Sequence, residues 1–196
     1  MWFENVGEFI DFGFVHIIPE GLDHVLFVIA LYLNARGWGS LVLQVTTFTV
    51  AHTVTLALAA TGVVSVDASL VEPLIAVSIV VLAIEAIFLP NSRNVWRLPV
   101  IFAFGLLHGL GFGSLMAPAL QTADLSAGLV GITIGVELGH LAVLAATAVV
   151  SMLMQLALKQ TNAPQLYRPA FVVPAAAIIT AVGAFWTLQR IGVLPE

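Results

Sequence analysis

Six apolar stretches in a chain of 196 residues constrain this sequence more than any other feature. They cover roughly 22–35, 39–62, 70–90, 98–117, 127–156 and 170–192. A helix needs about 20 apolar residues to cross ~30 Å of hydrocarbon. The sequence therefore predicts an all-α, polytopic membrane protein with six transmembrane helices that form a single domain over residues 1–196.

Composition argues against the other broad classes of protein. Charged residues make up 9% of the chain and hydrophobic residues 60%, whereas an average soluble domain has about 25% charged residues. Lys and Arg number 6 against 11 Asp and Glu, so no basic patch for nucleic acid is expected. The chain has no Cys, which excludes disulfides, thiolate metal sites and Cys nucleophiles. The acidic N-terminal segment is not typical of a signal peptide.

The basic residues alternate from loop to loop. They occur in the loops after the first, third and fifth stretches: Arg36, Arg93, Arg97, Lys159 and Arg168. The loops after the second and fourth stretches carry no Lys or Arg. The positive-inside rule makes the basic loops cytoplasmic and both termini periplasmic, in a bacterial inner membrane. Arg190, near the outer C-terminus, is the exception to this pattern.

The first stretch is short, and an amphipathic segment, Glu8–Pro19, precedes it. We expect this segment to dip into the outer leaflet as a short N-terminal half-helix that Pro19 and Gly21 break. Asp23 and His24 would then lie at a helix N-terminus below the membrane surface. Irregular backbone at that depth is tolerated only against protein or a water-filled cavity.

Ionisable residues are concentrated in or beside the spans. Each costs about 2.5–3.5 kcal/mol on insertion scales and is a functional hypothesis by default. The set is His16, Asp23, His24, His52, Glu85, His108, Glu137 and His140. Most lie in the middle to outer half of the predicted bilayer. Glu85 lies near the cytoplasmic end, where it is either an inner gate or a partner of Arg93 or Arg97. The alternative for each His is a packing residue that donates to a backbone carbonyl.

Residue spacing assigns faces to three spans. On the second span, Thr46, Thr49, His52 and Thr53 form a polar stripe. Two rows of small residues recur every four positions, in the fourth and fifth spans: Gly105, Gly109, Gly113 and Gly131, Gly135, Gly139. Such rows let helices approach closely in lipid, so we expect these two spans to pack against each other.

A weak internal symmetry accompanies these faces. Gly21-Leu-Asp-His24 opens the first span, and Gly105-Leu-Leu-His108 lies in the fourth. Three spans would then repeat as three in inverted orientation. A 3+3 inverted repeat with broken helices and a midplane site is typical of transporters.

Imidazole and carboxylate together are ligands for divalent transition metals such as Ni²⁺, Co²⁺ or Zn²⁺. His16, Asp23 and His24 would face the periplasm and capture a hydrated cation. The metal ion and the lipid bilayer are therefore the expected partners, self-association stays open, and no catalytic residue is assigned. Three alternatives remain: an intramembrane metalloenzyme, a haem b protein with His52 and His108 or His140 as axial ligands, and a structural or assembly protein.

Several motifs resemble the HupE/UreJ family of membrane proteins, which is associated with hydrogenase and urease maturation. The motifs are Gly13–Phe27, Phe48–Leu56, Val71–Ser78, Phe104–Phe112 and Gly135–Gly139. The resemblance implies a nickel or cobalt permease whose capture motif is His16, Asp23 and His24 and whose path is lined by His52, His108 and Glu137. Six residues separate His16 from Asp23, one more than is usual in the nickel permeases of the family, so the metal stays open among Ni, Co and Zn. His140 stands where Gln is expected.

Overall fold

The computed structural model describes residues 2–89, 96–121 and 125–195, and side chains within 6–89, 96–113 and 125–195. Arg93, one of the predicted cytoplasmic basic residues, lies outside these ranges. Every regular element in the described residues is helical, as the sequence predicts. The α-helices are α1 (Trp2–Ile17), α2 (Leu22–Leu33), α3 (Trp38–Ala60), α4 (Ala68–Phe88), α5 (Arg97–Gln121), α6 (Leu125–Gln160) and α7 (Val173–Arg190). A 3₁₀ turn (Pro164–Leu166) and a π-helical turn (Arg168–Val172) precede α7.

The predicted break between the N-terminal half-helix and the first span is confirmed. The segments Val6–Ile17 and Leu22–Leu33 meet at an angle of 72°. Pro19 lacks the N–H that a continuing helix requires, and a Cβ at Gly21 would collide with the carbonyl of His16. The break thus places Asp23 in the first turn of α2. The half-helix itself is longer than predicted, since it begins at Trp2.

A side-chain cap marks the start of α4. Asp67 Oδ1 accepts a hydrogen bond of 2.9 Å from the Ser69 N–H, which satisfies one of the donors left free at a helix N-terminus. The same bond holds the pKa of the Asp67 carboxyl below its ordinary value. Helix α4 therefore begins at Ala68, two residues before the predicted start of the third apolar stretch.

Four helical segments are long and apolar enough to cross a membrane: Trp38–Ala60, Ala68–Phe88, Leu125–Gln160 and Pro164–Arg190. The bent pair Val6–Ile17 and Leu22–Leu33 makes a fifth if it is counted as one span. The apolar segment Arg97–Gly113 is shorter. Within the described residues the fold is thus an all-helical membrane-type bundle with four to five candidate spans.

The expectation that the two glycine rows pack against each other is wrong. The row in α5 faces α3, where a Cβ at Gly105 would lie 2.5 Å from the Phe48 carbonyl oxygen and 2.8 Å from the Ala51 Cβ. A Cβ at Gly109 would meet the carbonyl of His52. Close approach of α3 and α5 therefore places His52 and His108 on facing helices.

The row in α6 faces α1 instead. A Cβ at Gly131 would lie 2.6 Å from the Phe9 Cβ, and one at Gly139 would lie 2.6 Å from the Ile17 Cβ. Helix α6 thus uses its glycines to hold the N-terminal half-helix, and α4 packs against α7. A glycine row shows that a helix is approached closely, but it does not show by which helix, which is why the sequence predicted the wrong partner.

Candidate functional site

The five histidines of the chain come together at one place, and each comes from a different helix, α1, α2, α3, α5 or α6. His24 is central. Its ring centroid lies 4.8 Å from that of His108, 5.0 Å from His16, 5.2 Å from His52 and 5.6 Å from His140. We call this group the histidine cluster. His24, His52, His108 and His140 are buried.

Several ring nitrogens of the histidine cluster are buried without a hydrogen-bond partner. Among the described residues, neither nitrogen of His52 has one, nor do His16 Nε2 and His108 Nδ1. Most buried polar atoms in proteins are paired, so a concentration of unpaired ones calls for an explanation. A neutral imidazole offers one lone-pair nitrogen, which is the form that binds metal ions.

The proton on His108 can be assigned from its neighbours. Ser78 Oγ lies 2.7 Å from the Ile75 carbonyl oxygen, to which it donates, and 3.1 Å from His108 Nε2. A hydroxyl has one hydrogen, so while Ser78 donates to Ile75, His108 Nε2 is the donor and Ser78 the acceptor in their contact. The neutral His108 ring then keeps its lone pair on Nδ1, the unpartnered atom. Hydrogen bonds of this kind fix the tautomer of ligating histidines.

The polar stripe on α3 faces α6. Thr49 Oγ1 lies 3.1 Å from His140 Nδ1, and His140 Nε2 lies 3.4 Å from His24 Nδ1. Thr53 Oγ1 lies 3.1 Å from Thr133 Oγ1. The stripe therefore connects the histidine cluster to α6, and it brings His140 into the cluster as a full member.

Aromatic rings close two sides of the histidine cluster. The Phe112 ring stacks on His16 with centroids 3.4 Å apart. Phe48 lies 5.0 Å from His108 and 5.7 Å from His24. The sequence reading gave neither Phe a role, although Phe48 precedes His52, and Phe112 follows His108, by the helical spacing that puts two side chains on one face. That spacing is the signal by which they could have been found.

A cavity of about 300 Å³ leads from the histidine cluster to the surface. We call it the vestibule. His16, His24 and His108 line its inner part, and Glu20, Asp23, Glu72 and Arg190 line the rest. Asp23 Oδ1 accepts a hydrogen bond of 2.9 Å from the His24 N–H. Since Glu20 and Glu72 are exposed, the vestibule opens at their end.

Glu137 lies apart from the histidine cluster. Its Oε1 accepts a hydrogen bond of 2.7 Å from Thr46 Oγ1. It lines a separate groove of about 280 Å³ between α3 and α6, beside Thr133 and Leu138. Its Oε2 is buried and has no partner among the described residues.

Glu85 also lies apart, as the ion-pair alternative predicts. It forms an ion pair with Arg97, and Arg97 Nε donates to Gln44 Oε1 over 2.7 Å. Glu85 and Arg97 line a largely apolar cavity of about 380 Å³. Arg93, the other partner considered, lies outside the described residues.

The histidine cluster is not a ready-made coordination sphere. Within the part of the chain that the structure describes, no group of three His, Asp or Glu side chains is arranged to hold one metal ion. The rings pack face to edge, with interplanar angles of 72° to 77° between His24 and His16, His52 or His108. Shared ligation of one ion would require some of these rings to rotate.

Comparison with known proteins gives one result that covers nearly the whole chain. A family model described as "HupE / UreJ protein" matches residues 1–190. No curated protein matches the chain, and no solved structure matches it.

Proposed function

Because this chain belongs to the HupE/UreJ family, we propose that it is a permease or metal-handling protein of the bacterial inner membrane. Its substrate is a divalent transition-metal cation of the nickel or cobalt type, with Zn²⁺ as the third candidate. The family is associated with nickel and cobalt accessory or transport functions. The choice of permease rests on the chemistry of the site described above.

The observation that carries the proposal is the set of unpartnered ring nitrogens in the histidine cluster. Imidazole suits Ni²⁺, Co²⁺ and Zn²⁺, and the chain has no Cys to offer a softer ligand. A passing ion needs ligands that bind it without trapping it. Rings that must rotate to share an ion meet that need better than a rigid, closed site.

The proposed path runs from the periplasm inward. The cation enters the vestibule, where His16, Asp23 and His24 replace part of its hydration shell. It then passes to His52 and His108, whose lone pair on Nδ1 faces no competing donor. It leaves near Glu85 at the other end of α4. Glu137 lines a separate groove. It would act on the path only indirectly, through Thr46 of the threonine stripe on α3, which donates a hydrogen bond to it.

The proposed topology has six spans, with both termini periplasmic. It adds α5 and α2 to the four long helical segments and leaves α1 as a half-helix in the outer leaflet. Alternating basic loops give the orientation. The similarity of the segments around His24 and His108 supports a 3+3 inverted repeat, which would place the site near the midplane.

The driving force we propose is an ion gradient. The sequence has no G-x-x-x-x-G-K-[ST] motif for ATP binding. Ligand histidines must be deprotonated to bind metal, so metal binding releases protons. Protons that return to the histidine cluster from the periplasm would displace the ion and couple its movement to the proton gradient.

Metal binding is the first test. We expect the purified full chain, incubated with Ni²⁺, Co²⁺ or Zn²⁺ and desalted, to retain one of them in near-stoichiometric amount by mass spectrometry. His52→Ala should lower that content at least about fivefold, because it removes a ring with two free nitrogens. Leu41→Ala is the matched control, since Leu41 is also buried on α3 about three turns away. Equal metal content in both variants would overturn the proposal.

Transport is the second test. Proteoliposomes loaded with a metal-sensitive dye should take up the ion that the protein binds, and His52→Ala should abolish the uptake. Tight stoichiometric binding without flux would overturn the permease proposal in favour of an intramembrane metalloenzyme. A Soret band in the purified protein would replace it with a haem protein.

A further inference from the structure

Arg190 is a cation that the orientation of the chain leaves unexplained, because it lies at the end of the bundle assigned to the periplasm. It is the last residue of α7. Its side chain lines the vestibule together with Glu20, Asp23 and Glu72. The structure thus puts a positive charge among three carboxylates at the mouth of the proposed cation site.

Uncharged groups hold this guanidinium in place. Arg190 Nη1 donates a hydrogen bond of 2.9 Å to the Glu72 carbonyl oxygen. Its Cζ lies 5.6 Å from the centre of the Trp186 ring, within the range of a cation–π interaction. Guanidinium remains protonated in proteins, and neither contact cancels its charge. Arg190 therefore presents a fixed positive charge to the vestibule.

A fixed charge opposes each cation in proportion to the cation's own charge. We infer that Arg190 is a tethered cation at the mouth of the vestibule that weakens the binding of a divalent cation to the histidine cluster and so speeds its release. This inference rests on the proposed function. Three carboxylates and several histidines would otherwise retain the ion, and conduction requires a site that the ion can leave.

A purely structural role predicts a different result. Arg at a helix C-terminus stabilises the helix by interacting with its dipole, and its loss would then only weaken folding or binding. A tethered cation predicts that a neutral side chain at this position strengthens binding. The sign of the effect separates the two roles, because damage to the fold does not raise affinity.

The experiment compares Arg190→Gln and Arg190→Lys in the full-length protein purified in detergent, titrated with Ni²⁺, Co²⁺ and Zn²⁺ by calorimetry. We expect the Kd of Arg190→Gln to fall about tenfold and that of Arg190→Lys to stay near the wild-type value. The difference in Kd between the wild type and Arg190→Gln should shrink at high salt, since exposed charges are screened. Arg168→Gln is the matched control. Arg168 also donates to backbone carbonyls, of Ala86 and Ile87, at the far end of α4.

The outcomes distinguish this inference from the proposed function. If the wild-type protein binds none of the three ions, the proposed function fails and the inference fails with it. If the wild type binds but Arg190→Gln binds equally or more weakly, the inference alone is overturned. An Arg190→Gln protein that fails to fold while Arg168→Gln folds would assign Arg190 to stability and would also overturn it.

Discussion

The hydrogen bond between Ser78 and His108 is the most informative contact at the scale of single residues. Because the Ser78 hydroxyl donates to Ile75, it directs the His108 proton to Nε2 and leaves Nδ1 free. The Ser78 side chain is itself fully buried. Ser78 is not a proposed ligand of the metal ion, so changing it tests whether the orientation of His108 matters for metal binding.

Ser78→Ala should weaken metal binding about tenfold, the lower end of what such supporting hydrogen bonds contribute. Without the serine, the His108 ring loses its fixed tautomer and orientation. Calorimetric titration with Ni²⁺ or Co²⁺ measures the change. Ser151→Ala is the control, because Ser151 is equally buried and bonds to Tyr167, away from the histidine cluster. Equal losses in both variants would remove Ser78 from the site.

Glu137→Gln should leave the metal affinity unchanged within about twofold, since Glu137 lines a groove separate from the vestibule and the effect of its charge on an ion in the vestibule falls with distance. The Gln carbonyl oxygen can still accept the hydrogen bond from Thr46, so the packing of α3 on α6 is kept. The same titration measures the affinity, and uptake by proteoliposomes reports any role in transport. A tenfold loss of affinity would put Glu137 among the ligands and would require α6 to move toward the vestibule.

Counting about 1.5 Å per residue along each span placed the ionisable residues of the spans, other than Glu85, in the middle to outer half of the bilayer, and the structure brings the five histidines together in one cluster. Sequence reasoning gave His140 a secondary place, because His140 stands where the family resemblance leads one to expect Gln. It grouped Glu137 with the histidines because the spacing of Glu137 and His140 puts both on one helix face and because the resemblance implies that Glu137 lines the path. The two residues lie three positions apart on one helix, yet only His140 reaches His24. Rotation of a helix about its axis is set by tertiary packing, which the sequence does not show.

At the scale of helices, glycine contacts determine which helices pack against each other. The helix bounds agree closely with the apolar stretches, because long periodic segments are strong signals. The partners of those helices differ from the prediction, since α5 packs on α3 and α6 on α1 through their glycines. The close approach of α3 and α5 brings the His52 backbone against Gly109. Packing between helices and the geometry of the histidine cluster are therefore coupled.

Gly109→Ala should destabilise the protein by about 1–3 kcal/mol, the usual cost of overpacking. Its Cβ would overlap the His52 carbonyl and the Thr55 hydroxyl, so α3 and α5 must separate. Thermal unfolding in detergent, followed by intrinsic fluorescence, measures the loss. Gly7→Ala is the control, because a Cβ at Gly7 meets nothing within 4 Å. At that site Ala should be neutral or stabilising, and a similar loss in both variants would contradict the packing argument.

At the scale of the whole molecule, the number of spans determines which loops face the periplasm. Four helical segments qualify by length and composition, and the bent pair makes a fifth. The proposed six-span topology needs the loop between α2 and α3 and the loop between α3 and α4 to lie on opposite sides of the membrane. Arg36 lies in the first of these loops, and the second loop has no Lys or Arg, which is the difference that the positive-inside rule requires.

The absence of Cys from the chain makes this topology directly testable, since one introduced thiol has no background. Gly37→Cys and Ser65→Cys place thiols at exposed positions in the two loops. In intact cells whose outer membrane admits small reagents, a charged maleimide should label Ser65→Cys at once. It should label Gly37→Cys only after the inner membrane is opened, because the charged reagent does not cross a bilayer. The reverse pattern would invert the protein and move the vestibule to the cytoplasm. Labelling of both thiols from the same side would mean that α3 does not cross the membrane, and the six-span topology would fall.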